Sequence, residues 1–97
     1  MASIFHYGPY EFTLSDPGLA PGDTQTWGFG PWDWSQHVIQ ANARPRVGGV
    51  VDEAELSVVS AWMKYDSQTG EYFVITIQNI GTTPIISYEV WLGGTMS

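Results

Sequence analysis

The residues best suited to bind a ligand lie in one short aromatic stretch. Between Trp27 and Trp34 the chain carries four aromatic side chains, three of them tryptophan, on a backbone interrupted by glycine and proline. Sugars present apolar C–H faces that stack on such rings, and neighbouring polar groups bind the hydroxyls. The predicted ligand-binding residues are the rings of this stretch and the polar side chains near it: Trp27, Phe29, Trp32, Asp33, Trp34, His37 and Arg44.

The backbone of the segment 27–34 is predicted to form a loop. Glycine and proline weaken helices and regular strands alike. An aromatic loop either fills a core or presents a flat surface to a partner. Because several tryptophans lie so close together, we expect at least one of them to be buried and at least one to be exposed.

Catalytic and metal-binding motifs are absent from the sequence. The chain has no cysteine, which excludes disulfides, thiolate nucleophiles and cysteine-ligated metals. His6 and His37 are the only histidines, and neither lies in a hydrolase, zinc-protease or phosphate-loop motif. The acidic residues lie in turn sequences without the spacing of a calcium loop. We therefore predict no enzymatic activity, no metal site and no cofactor.

The charge balance excludes one class of partner. Three basic residues stand against ten acidic ones, a net charge of −7 at pH 7. Such a chain repels phosphate backbones and anionic lipid, so we expect no nucleic-acid partner. No apolar run approaches the roughly 20 residues of a membrane span, and no signal peptide is visible. The sequence predicts no membrane span and leaves the compartment open.

The elements that must position these residues are predicted to be β-strands throughout. Val, Ile, Thr and aromatic residues dominate between punctuating glycines and prolines, a pattern typical of all-β proteins. Strands are predicted over 4–7, 10–14, 24–27 and 34–43, and Gly48-Gly49 links the two halves of the chain. In the C-terminal half, 56–65, 72–78 and 85–92 are predicted to form a three-stranded meander. The whole chain, 1–97, is predicted to be one small antiparallel β-sandwich of immunoglobulin-like or jelly-roll kind.

One segment resembles a known class of module. Residues 74–85 resemble the strand–turn–strand of bacterial immunoglobulin-like modules, in which an alternating strand runs into Asn-x-Gly-x-x-Pro and returns. Here the turn reads Asn79-Ile80-Gly81-Thr82-Thr83-Pro84. The resemblance implies a hairpin at this point and implies no function.

Side-chain alternation along the meander predicts two different faces. A four-residue turn at 67–70 places Tyr65 opposite Tyr72, and a slip of one residue would exchange the faces. The predicted core face carries Val58, Trp62, Phe73, Ile75, Ile77, Ile86, Tyr88 and Val90. The other face carries an apolar row predicted to be an interface: Met63, Tyr65, Tyr72, Val74 and Trp91. Either the N-terminal strands or the Trp-rich segment 27–34 covers this row, or a partner subunit does.

These observations favour binding over catalysis. The first expectation is a non-catalytic binding or assembly module that forms a homo-oligomer through its exposed aromatic surfaces. The alternative is a carbohydrate-binding module or lectin that binds a glycan through the Trp-rich segment 27–34. A third possibility is a subunit of a larger secreted or phage-like particle, which the size, acidity and lack of cysteine permit.

Overall fold

Six β-strands form the secondary structure of residues 3–46 and 54–97, the parts of the chain that the computed structural model describes. They are β1 (Ser3–Thr13), β2 (Thr24–Trp32), β3 (His37–Pro45), β4 (Leu56–Asp66), β5 (Gly70–Asn79) and β6 (Ser87–Met96). In these residues there is no helix, and hence none long and apolar enough to cross a membrane. The predicted all-β class is confirmed, whereas the predicted link at Gly48-Gly49 lies outside the described residues.

The strands form two three-stranded antiparallel sheets, ordered β1-β6-β3 and β2-β5-β4. β1 pairs with β6, and β2 pairs with β5, so along the chain the outer pair of strands encloses the inner pair. The apolar sides of the two sheets enclose one core, as in a small β-sandwich. The central strands are β5 and β6, so β1, β2, β3 and β4 are all edge strands.

The predicted C-terminal meander is wrong in its third strand. β4 and β5 form the expected hairpin, but β6 lies in the other sheet, between β1 and β3. The fully buried Asn79 explains the crossing. Its Nδ2 donates to the carbonyls of Leu19 and Thr83, each at 2.9 Å, and its Oδ1 accepts from the N–H of Gly81 at 3.0 Å. This satisfied amide holds 79–84 as an arch between the sheets, so the implied hairpin does not form.

The buried core consists mainly of residues from the two central strands. Of the predicted core residues, Phe73, Ile75, Ile77, Tyr88 and Val90 are buried, and Val58 packs against them half-buried. The prediction is wrong for Trp62, which is 44% exposed, and for Ile86, which is also exposed. Ile86 lies outward because its neighbour Ile85 bridges to Leu19 just before β6 begins and takes the inward position.

The orientation of Trp62 follows from a β-bulge in β4. The pairing of β4 with β5 shifts register between Val58 and Ser60, so one extra residue interrupts the alternation. Before the bulge the even-numbered residues of β4 face the core, and after it the odd-numbered residues do. Trp62 lies opposite Val74 on the outer face of the sheet. The turn is also one residue shorter than predicted, because Asp66 pairs with Gly70.

A hydrogen-bonded tyrosine ties the two sheets together inside the core. Tyr88 on β6 accepts a hydrogen bond from Trp27 Nε1 and donates one to Gln25 Oε1, and both partners lie on β2 of the opposite sheet. Burial raises the pKa of the Tyr88 hydroxyl, and the hydrogen bond from Trp27 offsets part of the rise. The hydroxyl therefore keeps its proton and can donate at neutral pH.

Replacing Tyr88 with phenylalanine should destabilise the fold, because the Trp27 and Gln25 side chains lose their partner between the sheets. We expect Tyr88→Phe to cost about 1–3 kcal/mol of unfolding free energy in urea melts. Tyr72→Phe is the matched control, since the Tyr72 hydroxyl bonds Thr69 Oγ1 at the surface. The control should stay within about 0.5 kcal/mol of the wild type. Equal losses in the two variants would contradict the inter-sheet role of Tyr88.

Candidate functional site

Two edge strands carry the same four-residue pattern, an aromatic residue, Gly-Pro and a second aromatic residue. It reads Tyr7-Gly8-Pro9-Tyr10 in β1 and Phe29-Gly30-Pro31-Trp32 in β2. In each strand the pairing register shifts across the pattern. Proline has no N–H to donate, so it is tolerated at bulges and on edges. The predicted loop at 27–34 is therefore wrong over most of its length, because β2 continues to Trp32 through a bulge.

The bulges place both rings of each pattern on one face. In a regular strand, residues three apart point to opposite faces. Tyr7 and Tyr10 nevertheless pair with Leu92 and Val90, which are two residues apart on β6 and both buried. The pattern in β2 behaves in the same way, since its first and last residues pair with positions 73 and 71 of β5. Both strands thus direct two rings towards the space between the sheets.

The rings surround an open pocket, which we call the aromatic cleft. Its volume is about 280 Å³, and it is lined by Tyr7, Tyr10, Trp32, Asp33, Trp34 and His37. Trp32 is 46% exposed and Tyr7 38% exposed, so both present ring surface to solvent. Trp34 is buried. The cleft therefore has two open aromatic walls above a buried indole.

Trp34 is fixed in place by its own contacts. Its Nε1 donates to the carbonyl of Phe29 at 3.1 Å. Its ring centroid lies 5.2 Å from that of Trp32 and 5.6 Å from that of His37, with the imidazole edge-on. It also packs against Phe73 of the core. Trp34 thus forms a rigid floor that supports the exposed Trp32.

One turn between β2 and β3 orients two polar groups of the cleft. Asp33 Oδ1 accepts from the N–H of Ser35 at 2.9 Å. Hydrogen bonds from Ser35 lower the pKa of the Asp33 carboxyl, so it is ionised at neutral pH. His37 Nδ1 lies 2.7 Å from the carbonyl oxygen of Ser35. Because a carbonyl can only accept, Nδ1 is the donor in this hydrogen bond, which leaves Nε2 of an uncharged imidazole as an acceptor.

Tyr10 adds a hydroxyl group to the cleft. Burial raises its pKa above the usual value, and the neighbouring Tyr7 raises it further. The Tyr10 hydroxyl therefore remains protonated at neutral pH and can donate as well as accept a hydrogen bond. Together the cleft offers an exposed carboxylate, an imidazole and phenolic hydroxyls beside aromatic rings.

The structure brings together four of the seven predicted ligand-binding residues, namely Trp32, Asp33, Trp34 and His37. Phe29 instead lies in the core, and Trp27 stacks on Phe12 with centroids 4.2 Å apart. Arg44 lies towards the other end of β3 from His37, with Nε 3.5 Å from Glu89 Oε1. Sequence reasoning missed Tyr7 and Tyr10. The signal that would have found them is the repeated pattern around Gly-Pro.

The predicted interface row does not form. Tyr72 and Val74 lie on the outer face of the sheet β2-β5-β4, whereas Met63 and Tyr65 lie on the opposite face of that sheet. Trp91 belongs to the other sheet, where its ring stacks on that of His6 with centroids 4.6 Å apart. The bulge in β4 and the crossing of β6 separate these residues. Their role in association stays a prediction.

A metal centre does not accompany the cleft. Within residues 3–46 and 54–97, no three histidine or acidic side chains come close enough together to hold a metal ion.

No protein-family model matches this chain, and neither a curated protein nor a solved structure matches it significantly. The cleft is therefore interpreted from its own chemistry.

The bulge that positions Trp32 depends on Gly30. Its φ is +151°, and a Cβ at this position would clash with the backbone oxygen of Glu71. We expect Gly30→Ala to cost roughly 2 kcal/mol or more, because the backbone must shift, and to change the near-UV circular dichroism of the tryptophans. Urea melts and near-UV spectra check this expectation.

Gly28→Ala provides the control on the same strand. A Cβ at Gly28 would meet only ordinary contacts, the nearest being Tyr72 Cδ1 at 3.8 Å. This variant should remain within about 1 kcal/mol of the wild type and keep its near-UV spectrum. If Gly30→Ala is tolerated as well as Gly28→Ala, the bulge does not constrain the cleft.

Proposed function

We propose that this protein is a non-catalytic carbohydrate-binding domain and that a neutral sugar binds in the aromatic cleft. One observation carries the proposal. The half-exposed ring of Trp32 lies beside the exposed Asp33 carboxylate, above the fixed floor of Trp34. This pairing of an open aromatic face with an oriented acceptor matches the two kinds of surface that a sugar presents.

The stacking and hydrogen-bonding steps use different residues. The apolar C–H face of a pyranose packs on Trp32. Tyr7, on β1 of the other sheet, forms a second aromatic wall. Sugar hydroxyls donate to the Asp33 carboxylate, which forms the stronger, charge-assisted kind of hydrogen bond. His37 Nε2 accepts a hydrogen bond from a further sugar hydroxyl. Because Ser35 holds both polar side chains, little side-chain freedom is lost on binding.

The size and charge of the cleft restrict the ligand. Its volume of about 280 Å³ lies at the lower limit of ligand pockets, roughly 300–1,000 Å³. A single ring or the end of a glycan chain therefore fits better than a long internal stretch. The net charge of −7 and the Asp33 carboxylate repel uronic and sialic acids. The proposed ligand is accordingly a neutral sugar.

Substituting Trp32 should remove binding without unfolding the protein, because its ring is half-exposed in the free protein and forms the proposed stacking surface for the sugar. We expect Trp32→Ala to weaken binding about tenfold or more. The measurement is isothermal titration with soluble, monovalent glucose, galactose, mannose, fucose and N-acetylhexosamine sugars and their short oligomers.

Trp62→Ala is the matched control for this titration. Trp62 is exposed to nearly the same extent, 44% against 46% for Trp32, but it lies on β4, away from the cleft. The Trp62→Ala variant should bind the sugar as the wild type does. No binding by the wild type to any neutral sugar, or equal losses in both variants, would refute the assignment of the cleft to carbohydrate.

A second candidate ligand is a quaternary ammonium group. Four aromatic residues and a carboxylate line the cleft, and cations of this kind bind against aromatic faces. The negative net charge favours such a ligand as well. Choline is the probe. If choline binds and no neutral sugar does, the cleft is a cation site and the carbohydrate proposal is replaced.

A further inference from the structure

Strand β4 presents an unusual edge between Val59 and Tyr65. Every residue of this stretch is exposed, although it includes Trp62 and Met63, and Lys64 is its only charged residue. Among the described residues, β4 is hydrogen-bonded to β5 alone, and its other neighbour, β3, belongs to the opposite sheet and does not pair with it. An exposed apolar edge with unpaired backbone groups is a template for another strand.

The other three edges are less suited to accept a strand. β1 and β2 are each interrupted by a Gly-Pro bulge, which removes a donor and distorts the edge. The outward side chains of β3 are mostly polar, namely Gln40, Asn42 and Arg44 beside Val38. The apolar stretch of β4 is therefore the edge most suited to a partner.

We propose that β4 pairs antiparallel with β4 of a second copy of this chain, about a twofold axis at Trp62. The two sheets then join into one of six strands, in the order β2-β5-β4 followed by the partner's β4-β5-β2. This inference does not rest on the proposed carbohydrate function.

The hydrogen-bonding pattern of antiparallel strands restricts the position of the axis. In an antiparallel pair, residues whose N–H and C=O groups point towards the partner strand lie opposite residues that point the same way. In a twofold pair of identical strands, the central pair therefore consists of two copies of the same residue, with the axis between them. An axis at Lys64 would oppose two lysines, which destabilises a strand pair. An axis at Met63 would set Trp62 against Lys64, two long side chains.

An axis at Trp62 gives self-complementary packing. The bulge at Val58–Ser60 lies at one end of the exposed stretch, so Ser60–Lys64 is the regular part that pairs with its copy. Within it a large side chain faces a small one, because Met63 lies opposite the partner's Ala61. Lys64 lies opposite the partner's Ser60, so no like charges meet. The two Trp62 rings adjoin on the outer face at the axis. The only self-facing residue is thus an aromatic ring suited to stacking.

The outer face of the sheet supports the same arrangement. A shallow trough of about 520 Å³ reaches the β4 edge and is lined by Thr26, Gly28, Trp62, Lys64, Tyr72 and Val74. In the dimer the troughs of the two copies adjoin, and the partner covers apolar surface that is exposed in the single chain. None of the residues of the aromatic cleft lies on β4, so both clefts stay open.

Sedimentation velocity from low micromolar to near-millimolar concentration tests the proposal. The wild type should dimerise, and more tightly at higher ionic strength, because salt screens the repulsion between two chains of net charge −7. Trp62→Lys places two lysines at the axis and should raise the dissociation constant of the dimer about thirtyfold or more. A wild type that remains monomeric throughout overturns the proposal.

Val38→Lys is the control for this charge change. Val38 is 67% exposed and lies on the edge strand β3, so its variant should dimerise as the wild type does. Circular dichroism establishes that both variants are folded. Dimerisation of Trp62→Lys at wild-type strength, or loss of the dimer in Val38→Lys alone, overturns the assignment to β4.

Disulfide cross-linking provides a second measurement, in which the introduced side chain links the two copies instead of separating them. The chain has no cysteine, so an introduced one is unique. Residues directly opposite across an antiparallel pair lie about 4.5–5.5 Å apart at Cα, within reach of a disulfide. Trp62→Cys should therefore form a covalent dimer on mild oxidation at dilute concentration, and Val38→Cys should not. Equal cross-linking of the two variants contradicts the β4 interface.

Discussion

The alternation of side chains along a strand is the constraint on which this molecule depends, and three β-bulges decide where it is broken. Each bulge adds one residue and so reverses which later positions face the core. In β1 and β2 the reversal directs a second aromatic ring inward and creates the aromatic cleft. In β4 it turns Trp62 outward. The aromatic cleft and the outward orientation of Trp62 thus have the same kind of physical cause.

The remainder of the sandwich tolerates these bulges because they lie on edge strands. The central strands β5 and β6 supply most of the buried core, and their inward residues alternate regularly. The buried polar groups are hydrogen-bonded between the two sheets. Tyr88 bonds two side chains of β2, and Asn79 holds the arch that leads from one sheet to the other. A regular centre therefore supports irregular edges, and the irregular edges carry the surfaces suited to binding.

The sequence predicted what depends on local pattern and failed where long-range pairing decides. Strand composition and turn residues were sufficient for the all-β sandwich, the β4–β5 hairpin and most of the buried face of β5. The partner of β6 could not be read locally, because its crossing depends on Asn79 bonding the distant Leu19 carbonyl. The orientation of Trp62 was missed because the bulge at Val58–Ser60 has no glycine or proline to mark it.

The candidate site shows the same division. Trp32, Asp33, Trp34 and His37 are close in sequence, and one turn keeps them close in space. Tyr7 and Tyr10 join them only because β1 lies over β2 in the folded sandwich, as the contact between Tyr10 and Phe29 shows. Arg44 was expected nearby from its distance along the chain, but an extended strand carries it away from His37.

The most direct test of the cleft uses the indole N–H signals of the five tryptophans. In a two-dimensional ¹H–¹⁵N spectrum, assigned with single Trp→Phe variants, a neutral sugar is titrated into the protein. If the sugar binds in the aromatic cleft, the Trp32 signal shifts in a saturable manner, with a smaller shift for Trp34, while the Trp62 and Trp91 signals stay in place. A saturable shift confined to Trp62 or Trp91, or no shift with any neutral sugar, would contradict a carbohydrate site in the aromatic cleft.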